Sequence, residues 1–216
     1  MKRFIVLMAA LAVTVVTASS LLSARESLRP AGTPAPAAPA AQPGRQVPES
    51  NRTSLGLYVT PQEAYAMWKA NPRGIQILDV RTFEEYIFVG HVEGARNIPV
   101  LFPRFDPKGP SVPGRPPGCS GEPNPDFIAK VSEAIDPGAT ILVMCSTGGR
   151  AAVAVNLLAK AGFTKVYNIV NGFEGDRVSD PGSVYNGKHM RNGWINNGLP
   201  WTYDCDPDLM WVAPRK

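Results

Sequence analysis

The sequence predicts an α/β domain with a central, mainly parallel sheet flanked by helices. Two short apolar runs rich in branched residues, at 75–80 and 141–144, are typical of buried strands. The second run leads through a small-residue loop into a helical pattern at 150–161, and a third apolar run follows at 165–170. A strand, a helix and a strand joined by such short connections predict parallel neighbours in one sheet.

Three further helices are predicted from their start signals and apolar spacing. Residues 60–63 read T-P-Q-E, a capping box with proline at the first helical position, and Asn-Pro at 71–72 ends that helix. Residues 82–88 predict a second, short helix, and residues 94–99 predict a turn followed by a brief strand. A third helix with one apolar face falls within 124–138, between Asn-Pro and Asp-Pro-Gly.

Proline and glycine crowd the segment 102–125, which predicts a long irregular loop of the kind that is often functional or mobile. Near the C-terminus, three tryptophans are expected to pack the end of the chain onto the core rather than to form a ligand platform. These are Trp194, Trp201 and Trp211.

The N-terminus has the layout of a secretory signal. A basic pair, Lys2-Arg3, precedes an apolar run and small residues, so residues 1–18 are predicted to be removed, with cleavage between 18 and 24. An uncleaved membrane anchor is the alternative. Residues 19–54 are assigned to a Pro- and Ala-rich tether, because this composition cannot bury enough apolar surface to offset its ordering entropy. The domain is assigned to 55–204 and a tail to 205–216, in a periplasmic or secreted protein.

Charge and cysteine content exclude several classes of site. The net charge of +4 falls to +2 without the signal, with 20 basic against 18 acidic residues, and without a basic run a nucleic-acid partner is not expected. No metal, nucleotide or flavin motif is present, so no cofactor is expected. An exported protein with three cysteines has room for one disulfide, and Cys119 with Cys205 is the pair favoured for it, although sequence does not decide whether they join. Alternatively, Cys119 resolves an oxidised or persulfidated Cys145.

Cys145 begins the segment that carries the chemistry, the sequence C-S-T-G-G-R between a predicted strand and a predicted helix. Ligand sites in parallel α/β sheets lie at the carboxyl ends of strands. The small loop residues let successive backbone N–H groups point into one concavity, and the helix N-terminus adds positive potential. This setting favours a nucleophilic thiolate, whereas the alternative is a buried core cysteine. The candidate substrate-binding residues are Ser146, Thr147, Gly148, Gly149 and Arg150.

Several motifs occur along the chain in one order. They are D-V-R at 79–81, E-E-Y at 84–86, G-H-V-E-G-A-R-N-I-P at 90–99, the cysteine loop at 145–150, V-Y-N-I-V-N-G-F at 166–173, N-G-W at 192–194 and G-L-P-W at 198–201. This series closely resembles the motifs of single-domain rhodaneses, a family of sulfurtransferases. The resemblance spans 55 to about 203.

The resemblance implies a three-layer α/β fold and ping-pong transfer of sulfur. A donor such as thiosulfate, an organic persulfide or a thiosulfonate loads Cys145 as a persulfide, and a thiol, cyanide or a protein acceptor then removes the sulfur. Asp79 and Arg81 are expected to be supporting residues, with Asp79 holding loop amides and Arg81 pairing with Glu84 or Glu85. His91 is expected to be a hydrogen-bonding turn residue, and His189 a surface residue.

Loop length and loop composition refine this expectation. Six residues separate cysteine and arginine inclusively, whereas related phosphatase loops are one residue longer, so the loop favours sulfur over phosphorus. Thiosulfate-using rhodaneses often carry a basic residue directly after the cysteine, and Ser146 stands there instead. A persulfide carrier or interaction module without turnover is the alternative, because it needs the same nucleophile and the same loop.

Overall fold

The computed structural model describes residues 46–109 and 117–211. The predicted signal and most of the predicted tether lie outside the described residues. In chain order the strands and helices are β1 (Tyr58–Val59), α1 (Pro61–Ala70), β2 (Ile75–Asp79), α2 (Phe83–Phe88), β3 (Arg96–Asn97), β4 (Leu101–Phe105), β5 (Cys119–Pro123), α3 (Phe127–Ala134), β6 (Thr140–Met144), α4 (Gly149–Lys160), β7 (Val166–Ile169), β8 (Asp176–Arg177), β9 (His189–Arg191) and α5 (Gly193–Asn196). No helix in these ranges is long and apolar enough to cross a membrane.

The main sheet has five strands in the order β1-β7-β6-β2-β3, and every neighbouring pair is parallel. The central strand β6 pairs with β2 along its whole length, from Ile75 opposite Thr140 to Asp79 opposite Met144. Parallel pairing brings the carboxyl ends of β2, β3, β6 and β7 to one edge. The predicted α/β class is confirmed.

Helices cover both faces of the sheet and give the fold three layers. Successive residues of a strand point to opposite faces. Leu78 of β2 therefore packs in a buried cluster with α3 and α4, whereas Ile77 packs in a second cluster with α1 and Trp194. Both faces of the sheet are consequently buried, as expected for parallel strands.

The helix starts predicted at Thr60 and Thr82 are confirmed. Thr60 accepts the backbone N–H of Glu63 while the Glu63 carboxylate accepts the backbone N–H of Thr60, a complete capping box for α1. Thr82 and Glu85 make the same reciprocal pair for α2. Each box satisfies two N–H groups that the first turn of a helix leaves without an intrahelical acceptor.

The expectation of an irregular loop over 102–125 is wrong for its two ends. Residues 101–105 and 119–123 form a two-stranded antiparallel ribbon, with Leu101 opposite Pro123 and Phe105 opposite Cys119. Proline is tolerated because each strand of such a ribbon has an open edge, where a missing N–H leaves no ladder bond unmade. Residues 110–116 lie outside the described residues.

The C-terminal aromatics pack onto the domain as predicted. Trp194 is fully buried and donates its indole N–H to the Pro200 carbonyl at 2.7 Å. Trp211 stacks on Phe102 at 5.5 Å between ring centroids, and Trp201 meets the edge of Phe173 while remaining 40% exposed. The folded unit therefore extends past residue 204.

At its other end, the folded unit starts before residue 55. Residues Glu49–Asn51 form a 3₁₀ turn, and the Asn51 side chain is buried to all but 7%. The last residues of the predicted tether thus belong to the domain. Among these residues, Asn51 contacts the cysteine loop at the Thr147 carbonyl.

Candidate active site

Cys145 lies where the sequence places it, directly after β6 at the carboxyl edge of the sheet. Its side chain is 1% exposed, and the loop that follows runs into α4 at Gly149. Gly148 precedes the helix with φ of +101°, a backbone conformation that residues with a Cβ rarely adopt. The loop therefore turns sharply between strand and helix, with the N-terminus of α4 beside the thiol.

The first two carbonyls of the loop are held by the segment after β7. The Cys145 carbonyl accepts the N–H of Phe173 at 2.8 Å. The Ser146 carbonyl accepts the N–H groups of Glu174 at 3.0 Å and Gly175 at 3.2 Å. The motif at 166–173 and the two residues after it thus hold the cysteine loop through backbone hydrogen bonds, which we call the backbone clamp.

The next two carbonyls are held by asparagine side chains that the sequence analysis missed. The Thr147 carbonyl accepts the side-chain N–H of Asn51 at 3.1 Å. The Gly148 carbonyl accepts the side-chain N–H of Asn168 at 3.2 Å, and also the backbone N–H of Ala152 at 3.0 Å. Asn168 interrupts an otherwise apolar strand, which is a usable signal, since a buried polar side chain needs a partner. Asn51 carries no such signal.

These contacts orient the N–H groups of the loop. In a trans peptide the C=O of one residue and the N–H of the next point in opposite directions, so carbonyls held outward turn the following N–H groups inward. Gly148 donates its N–H to Cys145 Sγ at 3.1 Å. The N–H groups of Ser146, Thr147 and Gly149 have no acceptor among the described residues. The loop therefore has one N–H group at the sulfur and three further N–H groups without an acceptor, a set of donors that suits an anion.

Arg150 forms a bidentate ion pair with Glu85. Its Nη1 lies 2.6 Å from Oε2 and its Nη2 lies 2.5 Å from Oε1. Burial alone would raise the pKa of Glu85, but the hydrogen bonds and charge of Arg150 bring it below its ordinary value. Burial opposes the charge on Arg150, yet Glu85 and then Cys145 raise the pKa of this guanidinium above its ordinary range. Arg150 is thus fixed by Glu85 at the start of α4, and its charge interacts with the Cys145 thiol.

Replacing Glu85 by Gln is expected to lower the free energy of unfolding by about 1–2 kcal/mol at pH 7, because the ion pair loses its negative partner. The pKa of Glu85 lies below its ordinary 4.5 in the folded protein. The pair therefore stabilises fully above that value and loses its effect as the pH falls through the lower folded pKa. Urea unfolding should show the gap between wild type and E85Q shrinking below pH 4.5.

Glu84 provides the matched control for this comparison, since it is the exposed neighbour of Glu85 on the same short helix. We expect Glu84→Gln to leave the free energy of unfolding nearly unchanged at every pH. A gap between wild type and E85Q that stays constant down to acidic pH would assign the loss to something other than the ion pair.

Arg81 pairs with Asp79, which corrects the expectation of a partner at Glu84 or Glu85. Arg81 Nε lies 3.0 Å from both Asp79 oxygens and Nη2 lies 2.6 Å from Oδ2. Both side chains are 0% exposed. Glu85 is engaged by Arg150 instead, because the α2 capping box turns its carboxylate toward the cysteine loop. Asp79 also accepts the Arg81 backbone N–H at 3.0 Å.

The buried Asp79–Arg81 pair contacts Phe173, a residue of the backbone clamp on the loop. Arg81 donates to the Gly90 carbonyl at 2.7 Å, and its guanidinium lies 4.3 Å from the centre of the Phe173 ring. Phe173 is the residue whose N–H holds the Cys145 carbonyl. The two side chains therefore support the geometry of the loop rather than reach its donors.

His91 is a hydrogen-bonding residue of the turn, as expected. Its Nδ1 lies 2.9 Å from the Tyr86 carbonyl and its Nε2 lies 3.2 Å from the Asp204 carbonyl, while the ring stacks on Tyr86. His189, expected at the surface, is half-buried, with Nδ1 2.6 Å from the Gly175 carbonyl. In the described part of the chain, neither histidine is hydrogen-bonded to Cys145.

Cys119 and Cys205, the pair for which the sequence left a disulfide open, are not joined, since all three cysteines are free thiols. Cys119 lies within the register of the β4–β5 ribbon, opposite Phe105. Cys205 is exposed and its Sγ lies 3.5 Å from the Tyr203 carbonyl. Cys145 is therefore distinguished from the other two by its burial and by the Gly148 N–H at its sulfur.

Comparison with known proteins agrees with this geometry. A model of the family described as the rhodanese-like domain matches residues 60–177, more than half of the chain. Thiosulfate sulfurtransferase 16, a chloroplastic protein of Arabidopsis thaliana, is 35% identical over 128 residues, which cover 59% of this chain and 79% of that one. An uncharacterized protein of Rickettsia prowazekii is 29% identical over 143 residues, covering 65% and 93% of the two chains.

A solved structure has the same fold. The crystal structure of Rv0390 from M. tuberculosis superimposes with a TM-score of 0.51 at 26% identity, and the match covers 68% of this chain and 96% of that one. The shared fold, the order of the motifs and the family match lead to one assignment. With named sulfurtransferases among its relatives, this chain belongs to the rhodanese-like domain family.

Proposed function

We propose that this chain is an exported sulfurtransferase that accepts sulfane sulfur on Cys145 as a persulfide. The observation that carries the proposal is the arrangement at Cys145 Sγ. The Gly148 N–H lies 3.1 Å from the sulfur, and the N–H groups of Ser146, Thr147 and Gly149 have no acceptor among the described residues. Such donors stabilise an anion without a dedicated base, as a thiolate or a terminal persulfide sulfur requires.

The first half-reaction loads the sulfur. The Cys145 thiolate attacks the sulfane sulfur of the donor and forms a new S–S bond, while the donor's own bond to that sulfur breaks. The electron pair leaves with the remainder of the donor, which departs as sulfite from thiosulfate or as a thiolate from an organic persulfide. The product is Cys145–S–S⁻, whose terminal charge lies among the loop N–H groups.

The second half-reaction removes the terminal sulfur from the Cys145 persulfide. A thiolate or cyanide attacks the terminal sulfur, the persulfide S–S bond breaks, and its electron pair returns to Cys145 as thiolate. The acceptor leaves as a persulfide or as thiocyanate. No net oxidant or reductant is needed, because the sulfur atom is only transferred. A protein thiol accepts the sulfur by the same steps.

The charges of the loop favour a singly charged donor. Both Nη atoms of Arg150 are engaged by Glu85, and the residue after the cysteine is Ser146 rather than a cation. A thiosulfate dianion therefore meets backbone N–H groups without a free guanidinium beside them. An organic persulfide or thiosulfonate, with less charge to neutralise, is the better match.

Intact-mass spectrometry of the mature protein tests the proposal. After treatment with glutathione persulfide or thiosulfate, we expect an adduct of about 32 Da that cyanide or a thiol discharges, since one sulfur atom is added to an activated thiolate. The adduct should be retained in a Cys119→Ser/Cys205→Ser variant and should be missing from Cys145→Ser. The mass of the untreated periplasmic protein also shows whether cleavage occurs between residues 18 and 24.

Three outcomes would contradict different parts of the proposal. A free, reduced Cys145 without any adduct would overturn sulfur transfer and leave a binding module. An adduct that forms but does not turn over with small acceptors would favour the carrier function. A mass that retains residues 1–18 would favour an uncleaved anchor over a released protein.

A further inference from the structure

Asn51 contacts the cysteine loop from outside the segment that matches the family. Its side-chain N–H donates to the Thr147 carbonyl at 3.1 Å, and its own carbonyl accepts the side-chain N–H of Asn168 at 3.0 Å. Its Oδ1 accepts the hydroxyl of Ser50 at 3.0 Å, which orients the amide with its N–H toward the loop. The residue lies before residue 60, where the family match begins.

The packing around this contact is close. A Cβ placed on Gly148 would lie 2.6 Å from Asn51 Nδ2, a separation that real Cβ atoms do not show. Asn51 is 7% exposed, so its amide is shielded from competing water. The short loop and Asn51 therefore fit together as one packed unit.

The bond to Thr147 fixes the one N–H group that contacts the sulfur. The Thr147 carbonyl and the Gly148 N–H belong to the same planar peptide and point in opposite directions. Holding that carbonyl outward consequently aims the Gly148 N–H at Cys145 Sγ, 3.1 Å away. The other loop carbonyls are held by the β7 strand and the residues after it, or by α4, whereas this peptide depends on Asn51.

We infer that Asn51 is a positioning residue for the Cys145 nucleophile, acting through the Thr147–Gly148 peptide. The inference rests on the nucleophile of the proposed function and adds a residue that the family match does not contain. It also gives the N-terminal segment a second role, since the point where that segment joins the domain sets the geometry of the reactive thiol.

Alkylation of Cys145 by iodoacetamide, followed across pH, tests this inference. A Cys119→Ser/Cys205→Ser background leaves Cys145 as the only thiol. In that background we expect Asn51→Ala to slow alkylation at pH 7 about tenfold, because the thiolate loses an aimed hydrogen bond. Asn51→Ser, which keeps a shorter donor, should lie between Asn51→Ala and the parent.

Asn156→Ala is the matched control. The Asn156 side chain accepts the N–H of Ser54 at 2.7 Å and anchors the same N-terminal segment to α4 without touching the loop carbonyls. We expect it to lower the melting temperature by an amount similar to Asn51→Ala, with the alkylation profile left in place. Only a contact that aims the Gly148 N–H should move the profile.

A profile for Asn51→Ala or Asn51→Ser that superimposes on that of Asn156→Ala would overturn the inference. The serine variant decides the matter if the alanine variant does not fold. Alkylation of the sulfur-free protein needs only the Cys145 thiolate. Its result is therefore independent of whether Cys145 can accept sulfur from a donor. Failure of the positioning role and failure of the sulfurtransferase proposal are thereby told apart.

Discussion

Cys145→Ser is expected to lower turnover with a persulfide or thiosulfate donor and cyanide by at least about a thousandfold, because the hydroxyl replaces the only group that forms the covalent intermediate. Serine keeps the size of the side chain, so the loop should retain its hydrogen bonds to Phe173, Glu174 and Asn51. Initial rates of thiocyanate formation measure the loss directly.

The two other thiols serve as controls for that loss. Cys119→Ser and Cys205→Ser remove a half-buried ribbon thiol and an exposed thiol, neither of which is hydrogen-bonded to the cysteine loop in the described part of the chain. Each is expected to keep turnover within about twofold of wild type, since most substitutions away from such sites change little. If Cys145→Ser keeps more than a tenth of the turnover, a second nucleophile carries the reaction. If Cys119→Ser abolishes turnover, Cys119 resolves the persulfide.

The parts of the fold that the sequence predicted well are those with local causes. The capping box at Thr60 requires only residues three positions apart, and α1 begins where it indicates. The short helix predicted over 82–88 likewise forms, as α2. The apolar runs became β2, β6 and β7 because strands buried on both faces have little polar content. Short connections then leave few ways to arrange parallel strands.

The ribbon at 101–105 and 119–123 could not be predicted from neighbouring residues alone. Its prolines, including Pro103 and Pro123, are poor strand residues, and composition alone favoured irregular structure. The ribbon forms because two segments separated along the chain pair with one another. Their pairing depends on a partner strand, which no window of neighbouring residues contains.

The same distinction between local and distant causes applies to the candidate site. Cys145 and its loop were predicted correctly in position because strand, cysteine, glycines and helix are consecutive. The residues that hold the loop are distant in sequence: Asn51 reaches Thr147, and Glu85 reaches Arg150. Arg81 had several carboxylates near it in sequence, and only the folded geometry selects Asp79. Sequence proximity identifies candidate partners for a charge without choosing among them.

The buried Asp79–Arg81 pair gives the largest expected effect on stability. Both side chains are 0% exposed. Burial alone would lower the pKa of Arg81, but the charge and hydrogen bonds of Asp79 raise it above its ordinary value, so the guanidinium stays charged. Arg81→Leu leaves the Asp79 carboxylate buried opposite an apolar side chain. We expect the free energy of unfolding to fall by about 3–5 kcal/mol, as measured by urea denaturation at pH 7.

A double-mutant cycle separates the ion pair from the packing of Arg81. Asp79→Asn/Arg81→Leu removes both charges, while the amide oxygen at position 79 still accepts the backbone N–H of residue 81. The double variant should therefore be more stable than Arg81→Leu alone by at least about 1 kcal/mol, because an uncompensated buried charge costs more than a missing pair. If the double variant is instead less stable than the wild type by the sum of the two single-variant losses, the two side chains act independently. Arg81 would then stabilise the fold through Gly90 and Phe173 rather than through Asp79.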